Sequence, residues 1–423
     1  MKYTLSDMII SQDKKIRVPE LLHFVWIGDN SKAPIQYMEL WRKSNLQKKT
    51  ILWCENDFHL CQVFHETISD YVNNSPNNDK SKLEIQLKNS AFDYVYPKLS
   101  RGLRFDDVID GFFKKHNIPF QITPPHECNT LMTTENLRIK DIGHLFSGEY
   151  GVLKRFYYYE IILRGNLASA SDIVRLIVIH LFGGTYIDMD TLPCTDSVFK
   201  SLNLWKSQQG YVEEDFIKLF KTKKILNKLG LLNVSDDEYI NNYASSENSL
   251  FYNKILSKIN QDIADFSQSD ILPLGTLYVH KNFLSIGAVS ELDGIYFNNV
   301  ISSHPLSKTV HIILRVMKKR YVFLERSDCI FNACKGSEDG SYLSRILSWR
   351  TELITKNYCV TSVLTGPGLI VEVLLGLAYE LMDAEYLTAP AAIARDMHNE
   401  AIGIAFFRHN LHTPEGICSS WMK

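Results

Sequence analysis

Two aspartates follow a glycine pair near the middle of the chain, in the stretch GGTYIDMD that ends at Asp190. If this stretch is a β-strand, Tyr186, Asp188 and Asp190 project from one face, because alternate side chains share a side. The two carboxylates are then roughly 6 to 7 Å apart. Two ionised carboxylates beside a core strand are costly without a cation, so the pair predicts a metal bound by one of them.

The donor atoms available at these aspartates indicate which ion would bind. Oxygen-only ligation favours hard ions such as Mg²⁺ or Mn²⁺, which complete their shell with water and substrate phosphates. This chemistry indicates a nucleotide diphosphate as the ligand. A short Asp-x-Asp pattern also arises by chance on solvated turns, but this is the only one in the chain, and it follows an apolar segment.

The apolar segment before the glycines is predicted to be a buried helix. Ser169-x-x-Asp172 has the form of a helix N-cap box, and Gly183-Gly184 supplies a left-handed stop. Asp172 and Arg175 are three positions apart and therefore share a face. The pair is either a capping carboxylate with a neighbouring arginine or part of a binding site.

Flanking segments provide the frame for these residues. The run LLHFVWIGD predicts a buried strand that reaches a turn at Gly28, and ILWCEND and IYFNNVISSHP predict further strands. We expect a short leader over 1–20 and one α/β domain over 21–423, with a helical insertion at roughly 57–150. Residues 410–423 are predicted to form a C-terminal lid.

Composition excludes several classes of protein. The formal net charge of -2 gives no broad basic field for nucleic acid. No apolar run is long enough to span a membrane, and the N-terminus lacks a Sec signal. Eight cysteines without a C-x-x-C pair indicate reduced thiols and no disulfide framework. His23, His180 and His304 show no metal-ligand spacing and are predicted to be structural.

Several motifs resemble one known family when taken together. The stretches NLASASDIVRLIVIHLFGGTYIDMDTLP and LLHFVWIGD resemble the glucosyltransferase domain of the large clostridial cytotoxins and related bacterial effector glycosyltransferases. FNNVISSHP resembles the family's sugar-contact strand, LTGPG its Ser/Thr-Gly-Pro turn, and the closing SSW its Ser-x-Trp lid. The resemblance implies a GT-A fold, with a Rossmann-like central mixed sheet flanked by helices and additional helical insertions.

The resemblance also implies roles for individual residues. The implied donor-binding residues are Trp26, Leu167, Ser171, Tyr186 and Ser419. The residues implied to act on the sugar and the leaving diphosphate are Asp172, Arg175, Asp188, Asp190, Asn298 and Trp421. The implied metal ligands are Asp190, Asp188, Ser419 and Glu415. The family has a glutamate five residues before its final tryptophan, where this chain has Gly416, so Glu415 departs from the pattern.

The implied activity is transfer of a hexose from a UDP-sugar to a hydroxyl of a host protein, with retention of configuration. The resemblance implies Mn²⁺ or Mg²⁺, UDP-glucose or UDP-N-acetylglucosamine as donor, and a small GTPase of the Rho or Ras type as acceptor. Phe297 and Asn299 flank Asn298 and favour glucose by their size. We expect a protein released by the bacterium without a Sec signal, through a secretion system or by excision from a longer chain, that acts in the host cytoplasm.

Three alternatives stay open at this stage. YIDMDTL also fits the haloacid-dehalogenase phosphatases, with Asp188 as nucleophile and Asp190 as acid, although only three residues separate the glycines from Asp188. A bacterial polysaccharide glycosyltransferase would use the same donor site. A catalytically inactive effector would bind a GTPase without modifying it.

Overall fold

The computed structural model describes ten segments of the chain. They are 14–55, 60–120, 137–193, 195, 197–211, 215–232, 249–288, 294–336, 342–355 and 359–397.

Two sheets are formed by the described residues. The strands are β1 Lys15–Arg17, β2 Leu21–Trp26, β3 Lys49–Cys54, β4 Leu137–Asp141, β5 Gly184–Ile187, β6 Tyr278–His280, β7 Leu284–Ala288 and β8 Tyr296–Ser303. The main sheet has six strands in the order β4-β3-β2-β5-β8-β7, and β1 pairs with β6. Strands β4, β3, β2 and β5 pair in parallel, whereas β8 pairs antiparallel with both β5 and β7. The predicted mixed sheet is confirmed.

Helices surround this sheet. The α-helices are α1 Ile35–Ser44, α2 Cys61–Asn74, α3 Lys80–Leu99, α4 Phe105–Lys115, α5 Gly151–Tyr158, α6 Leu167–Phe182, α7 Lys200–Gln209, α8 Asp215–Lys228, α9 Ser249–Ala264, α10 Lys308–Arg326, α11 Glu352–Thr355, α12 Cys359–Leu364, α13 Pro367–Leu381 and α14 Pro390–Asp396. A π-helical turn at Tyr159–Arg164 continues α5, and the longest 3₁₀ helix covers Tyr342–Arg350.

The two faces of the main sheet are both buried. Leu22 and Phe24 of β2 pack in one apolar cluster with Met38 and Trp41 of α1. Val25 packs in the cluster on the other face, which includes most of α6. Because successive side chains of a strand point to opposite faces, a nearly continuous apolar strand needs cover on both sides. The sheet is therefore the middle layer between helices.

Helix α6 begins earlier than the sequence predicts. The side-chain oxygen of Asn166 accepts a hydrogen bond from the Ser169 backbone N–H at 2.9 Å, so Asn166 is the N-cap. The predicted cap box at Ser169 and Asp172 is wrong, because both residues lie inside the helix and are buried. Their side chains are thereby available for contacts with other elements.

The region predicted as a helical insertion at 57–150 contains both helices and a strand. Helices α2, α3 and α4 occupy 61–115 and pack against one another through an aromatic-rich cluster. Strand β4 then pairs in parallel with β3 and forms one edge of the main sheet. The chain therefore returns to the central sheet within the predicted insertion.

The cysteines differ in part from the prediction. Cys329 and Cys334 form a disulfide just after α10, so the expectation of reduced thiols throughout is wrong at this pair. Their separation of five residues gave no C-x-x-C signal. Among the described residues, Cys54 and Cys61 are buried and are not part of a disulfide. Among the described residues, no helix combines the length and apolarity required to cross a membrane.

The Gly183-Gly184 turn joins α6 to β5 with little space to spare. Gly183 has φ +61° and Gly184 has φ +92°, so the helix ends at glycines with positive φ as predicted, although ψ of -158° at Gly183 differs from an αL cap. A Cβ on Gly184 would be 2.8 Å from Cβ of Leu21, which is on the neighbouring strand. The turn therefore requires glycine for both its backbone conformation and its packing.

We predict that Gly184→Ala lowers the free energy of unfolding by about 2 to 5 kcal/mol, since it adds a clash to a positive φ. The matched control is Gly210→Ala, where φ is +62° and no atom lies within 4 Å of the added Cβ. The control should lose about 1 to 2 kcal/mol. Urea denaturation of both variants measures the difference, and equal losses would contradict the packing role of Gly184.

Candidate functional site

Strands β2 and β5 end at the same edge of the main sheet, and helix α6 begins there. Strands β2 and β5 are parallel neighbours, so Trp26 at the end of β2 and Asp188 just after β5 lie at that edge. Helix α6 runs into β5 through the tight glycine turn, so its N-terminal half returns to the same edge. Carboxyl ends of strands in open α/β sheets are common ligand sites.

The aspartate pair lies in a turn and not on a strand. Strand β5 ends at Ile187, and the Thr191 backbone N–H donates to the Asp188 carbonyl at 3.0 Å. The prediction that one strand face continues to Asp190 is therefore wrong. The Asp188 backbone N–H donates to the Asn299 carbonyl at 2.8 Å, which fastens the turn to β8.

Arg175 is at the centre of a buried ion cluster. Its Nη2 is 3.2 Å from Oδ1 of Asp172 and 3.0 Å from Oδ1 of Asp188. Its Nη1 donates to the backbone carbonyl of Asn298 at 2.8 Å. The guanidinium also lies over the Tyr186 ring, 4.4 Å from the centroid. The Arg175 side chain thus connects α6, the turn after β5, and β8. We call Arg175 and the four residues that it contacts the Arg175 cluster, which consists of Asp172, Arg175, Tyr186, Asp188 and Asn298.

The hydrogen bonds of Asp172 fix its carboxylate at both oxygens. Nδ2 of Asn298 donates to Oδ1 at 2.9 Å, and the Thr365 hydroxyl donates to Oδ2 at 3.0 Å. Burial raises the pKa of Asp172 to about 6, against the opposing effect of Arg175. The buried carboxyl group of Asp172 is therefore harder to ionise than that of a solvent-exposed aspartate.

The other aspartates add to the negative charge at this site. Burial raises the pKa of Asp188, and Arg175 opposes the shift. Burial lowers the pKa of Arg175, but nearby acidic groups, Asp188 first and Asp190 among them, raise it overall. Arg175 thus contacts the carboxylates of Asp172 and Asp188 and interacts electrostatically with that of Asp190, so ionisation of all three leaves a local excess of negative charge. A bound divalent cation would compensate that excess.

The oxygen atoms at the turn fit a hard divalent ion. Among the described residues, the Tyr186 hydroxyl and Arg175 both contact Oδ1 of Asp188, which leaves Oδ2 for a ligand. Asp190 is half-buried two residues further on. A donor set made of carboxylate oxygens suits Mg²⁺ or Mn²⁺.

The predicted nucleoside residues lie beside this cluster. A Cβ on Gly28 would be 3.3 Å from Cδ1 of Leu167, so Leu167 contacts the loop after β2. Burial raises the pKa of Tyr186, and an interaction with the Ser171 side chain opposes that shift. Trp26 is half-buried, and its indole N–H donates to the Asp29 carbonyl at 3.0 Å. The ring is thereby held at the same edge of the sheet.

Three predicted site residues and the predicted lid lie outside the described residues. These are Glu415, Ser419 and Trp421, together with the range 410–423. Their roles in metal binding and in closing over the diphosphate stay predictions.

Thr365 is a site residue that sequence reasoning did not select. It is fully buried, and its hydroxyl lies 2.8 Å from the Ser169 hydroxyl as well as 3.0 Å from Asp172. The Thr-Gly-Pro turn that contains Thr365 indicated a family feature, but its partners Ser169 and Asp172 are 196 and 193 positions earlier in the chain.

Comparison with known proteins identifies the family. The model of the TcdA/TcdB catalytic glycosyltransferase domain matches residues 66–364. This chain belongs to that family. Toxin A of Clostridium novyi is 24% identical over 352 residues, which cover 74% of this chain and 15% of that toxin. Toxin B of Clostridioides difficile is 23% identical over 336 residues, which cover 73% of this chain and 13% of that toxin.

Solved structures show the same fold. The catalytic domain of alpha-toxin from Clostridium novyi matches with a TM-score of 0.67 at 18% identity, over 94% of this chain and 79% of that chain. The UDP-bound glycosyltransferase domain from the YGT toxin matches with a TM-score of 0.54 at 18% identity, over 92% of this chain and 79% of that chain. The predicted family and the predicted GT-A fold class are both confirmed.

We predict that Thr365→Ala lowers the free energy of unfolding by about 1 to 3 kcal/mol, because buried Asp172 and Ser169 each lose a partner. Loss of the donated hydrogen bond should also raise the pKa of Asp172 further, since that bond favours the charged form. Thr365→Ser keeps the hydroxyl and is the matched control. Urea denaturation and carboxyl NMR measure the two effects. If the serine variant behaves like the alanine variant, the hydroxyl has no such role.

Proposed function

We propose that this chain transfers a hexose from a UDP-sugar to a hydroxyl group of a host protein. The observation that supports this most strongly is the Arg175 cluster at the carboxyl edge of a GT-A sheet, in a chain of the TcdA/TcdB glycosyltransferase family. The UDP-bound YGT domain with the same fold supports a UDP-linked donor.

In this proposal, the cluster orients the sugar. Asp172, Arg175 and Asn298 would bind its hydroxyl groups, and their positions are fixed by mutual hydrogen bonds before the donor arrives. Preorganised polar groups reduce the loss of orientational freedom in the reaction. Trp26, Leu167 and Ser171 would line the nucleoside pocket, with Tyr186 beside them.

A divalent metal would be held at the turn after β5. Asp190 is the proposed direct ligand, and Asp188 is proposed to contact the donor or the metal through Oδ2. Mn²⁺ or Mg²⁺ bound at this position would supply charge stabilisation to the departing diphosphate. Ser419 and Glu415 are proposed as further ligands. Trp421 is proposed to donate its indole N–H near the leaving oxygen.

The proposed mechanism is a front-face displacement, which retains the configuration of the transferred sugar. In this mechanism the leaving phosphate accepts the proton of the acceptor hydroxyl. Such a mechanism needs no separate side-chain base, and the cluster residues serve as positioning and charge-stabilising groups. The proposed donors are UDP-glucose and UDP-N-acetylglucosamine. Phe297 and Asn299, which flank Asn298 on β8, favour the smaller glucose.

The proposed acceptor is a small GTPase of the Rho or Ras type in the host cytoplasm. The matched relatives are toxins, which supports an action on host proteins. The phosphatase alternative has no support from the family or the fold.

The test uses Mn²⁺, radiolabelled UDP-glucose or UDP-N-acetylglucosamine, and a eukaryotic lysate. We expect label in a protein band of small-GTPase size, and Asp190→Asn should reduce incorporation on the order of 10²-fold or more, since it removes a metal ligand. Asp93→Asn changes an exposed aspartate on α3 and is the matched control, with unchanged incorporation.

Other results of this test would contradict parts of the proposal. Incorporation by Asp190→Asn equal to that of the unmodified protein would exclude the metal role of Asp190. Transfer only to a bacterial oligosaccharide would support a polysaccharide glycosyltransferase. A cellular effect that survives the double variant Asp188→Asn and Asp190→Asn would support an inactive, GTPase-binding effector.

A further inference from the structure

A second group of potential metal ligands lies at the opposite end of α6. Glu149 lies in the 3₁₀ turn Gly148–Tyr150, His180 in the last turn of α6, and His311 near the start of α10. One ligand atom from each of these residues lies within 4.8 Å of the other two. We call these three residues the histidine cluster.

We propose that the histidine cluster binds Zn²⁺, with water as a fourth ligand. Two imidazole nitrogens and one carboxylate oxygen form a donor set that zinc uses in proteins, and three protein ligands leave one position open. Metal–ligand distances of about 2.1 Å place tetrahedral ligands about 3.4 Å apart. Side-chain rotations that shorten the separations of the ligand atoms, which are at most 4.8 Å, to this distance would complete the site.

The surroundings orient the central ligand. The Tyr150 hydroxyl lies 2.5 Å from Nδ1 of His180, which fixes the rotation of the imidazole ring. The ring centroids of His180 and His311 are 5.4 Å apart. A partner that holds a ligating histidine in place is a common feature of metal sites.

Exposure at the cluster changes from one side to the other. His180 is 4% exposed, His311 is half-buried, and Glu149 is exposed. The cluster therefore has a buried imidazole on one side and an open side toward solvent. A metal ion could enter from that open side, and a water ligand could remain there.

This site is separate from the Arg175 cluster. His180 follows Asp172 by eight residues on α6, which corresponds to about 12 Å along a helix axis. The donor atoms of the two sites also differ. The histidine cluster offers imidazole nitrogens, which favour zinc, whereas the turn after β5 offers carboxylate oxygens, which favour Mg²⁺ or Mn²⁺. Bound zinc would connect the end of α6 with the start of α10 and with the segment before α5.

The test is isothermal titration of Zn²⁺ into the full chain after removal of metals with a chelator. We expect the unmodified protein to bind one Zn²⁺ at the cluster, and His311→Ala to bind it at least about tenfold more weakly. His144→Ala changes an exposed histidine in the preceding 3₁₀ helix, outside the cluster, and should bind zinc as the unmodified protein does. Co²⁺ in place of zinc should give visible absorption of four-coordinate cobalt, and His311→Ala should lose it.

Equal zinc affinity and stoichiometry in His311→Ala and the unmodified protein would overturn the proposal. Loss of the bound zinc in Asp190→Asn, with its retention in His311→Ala, would do the same, since the ion would then lie at the turn after β5. Circular dichroism checks that the variants fold. If His311→Ala does not fold, Glu149→Gln alters an exposed side chain and should show the same weakening of zinc binding.

Discussion

The buried contact of Arg175 with Asp172 and Asp188 is the interaction on which the candidate site depends. Charges out of contact with water are tolerated when they are paired and hydrogen-bonded, and loss of one partner leaves the others uncompensated. Here Asp172 and Arg175 lie on α6 and Asp188 lies in the turn after β5, while Asn298 adds contacts from β8. The relative position of these elements is therefore set by the same groups that are proposed to bind the donor.

A second buried network fixes the start of α6. The Asn166 side chain, which caps the helix, donates to the Thr361 hydroxyl at 2.9 Å, and Arg164 donates to the same hydroxyl at 3.0 Å. Arg164 also pairs with Glu160 at 2.7 Å and with Glu352. The first turn of α6 is thus tied to the region around α11 and α12. Such ties limit the movement of the helix that carries Asp172 and Arg175.

Much of this architecture could be predicted from local sequence. The strand at LLHFVWIGD, the glycine turn and the pairing of Asp172 with Arg175 all depend on residues close together in the chain. The i, i+3 spacing of that pair is a direct consequence of helix geometry. The family resemblance added the GT-A fold, which periodicity alone does not give.

The remaining features depend on contacts between distant segments. The end of β5 at Ile187 is determined by the turn that Thr191 closes and by the hydrogen bond from Asp188 to β8. Thr365 reaches Asp172 only because α6 packs beside the turn before α13. His180 and His311 likewise meet only through the packing of α6 and α10. Single-sequence patterns carry no direct signal for such pairs.

A crystal structure of the full chain with Mn²⁺ and UDP is the most direct test of the central claim. The account predicts Mn²⁺ on Asp190, the diphosphate at the turn after β5, and the uracil ring beside Trp26, with the Arg175 cluster facing the open sugar position. A nucleotide bound at another part of the surface, with the Arg175 cluster closed off from it, would contradict the account.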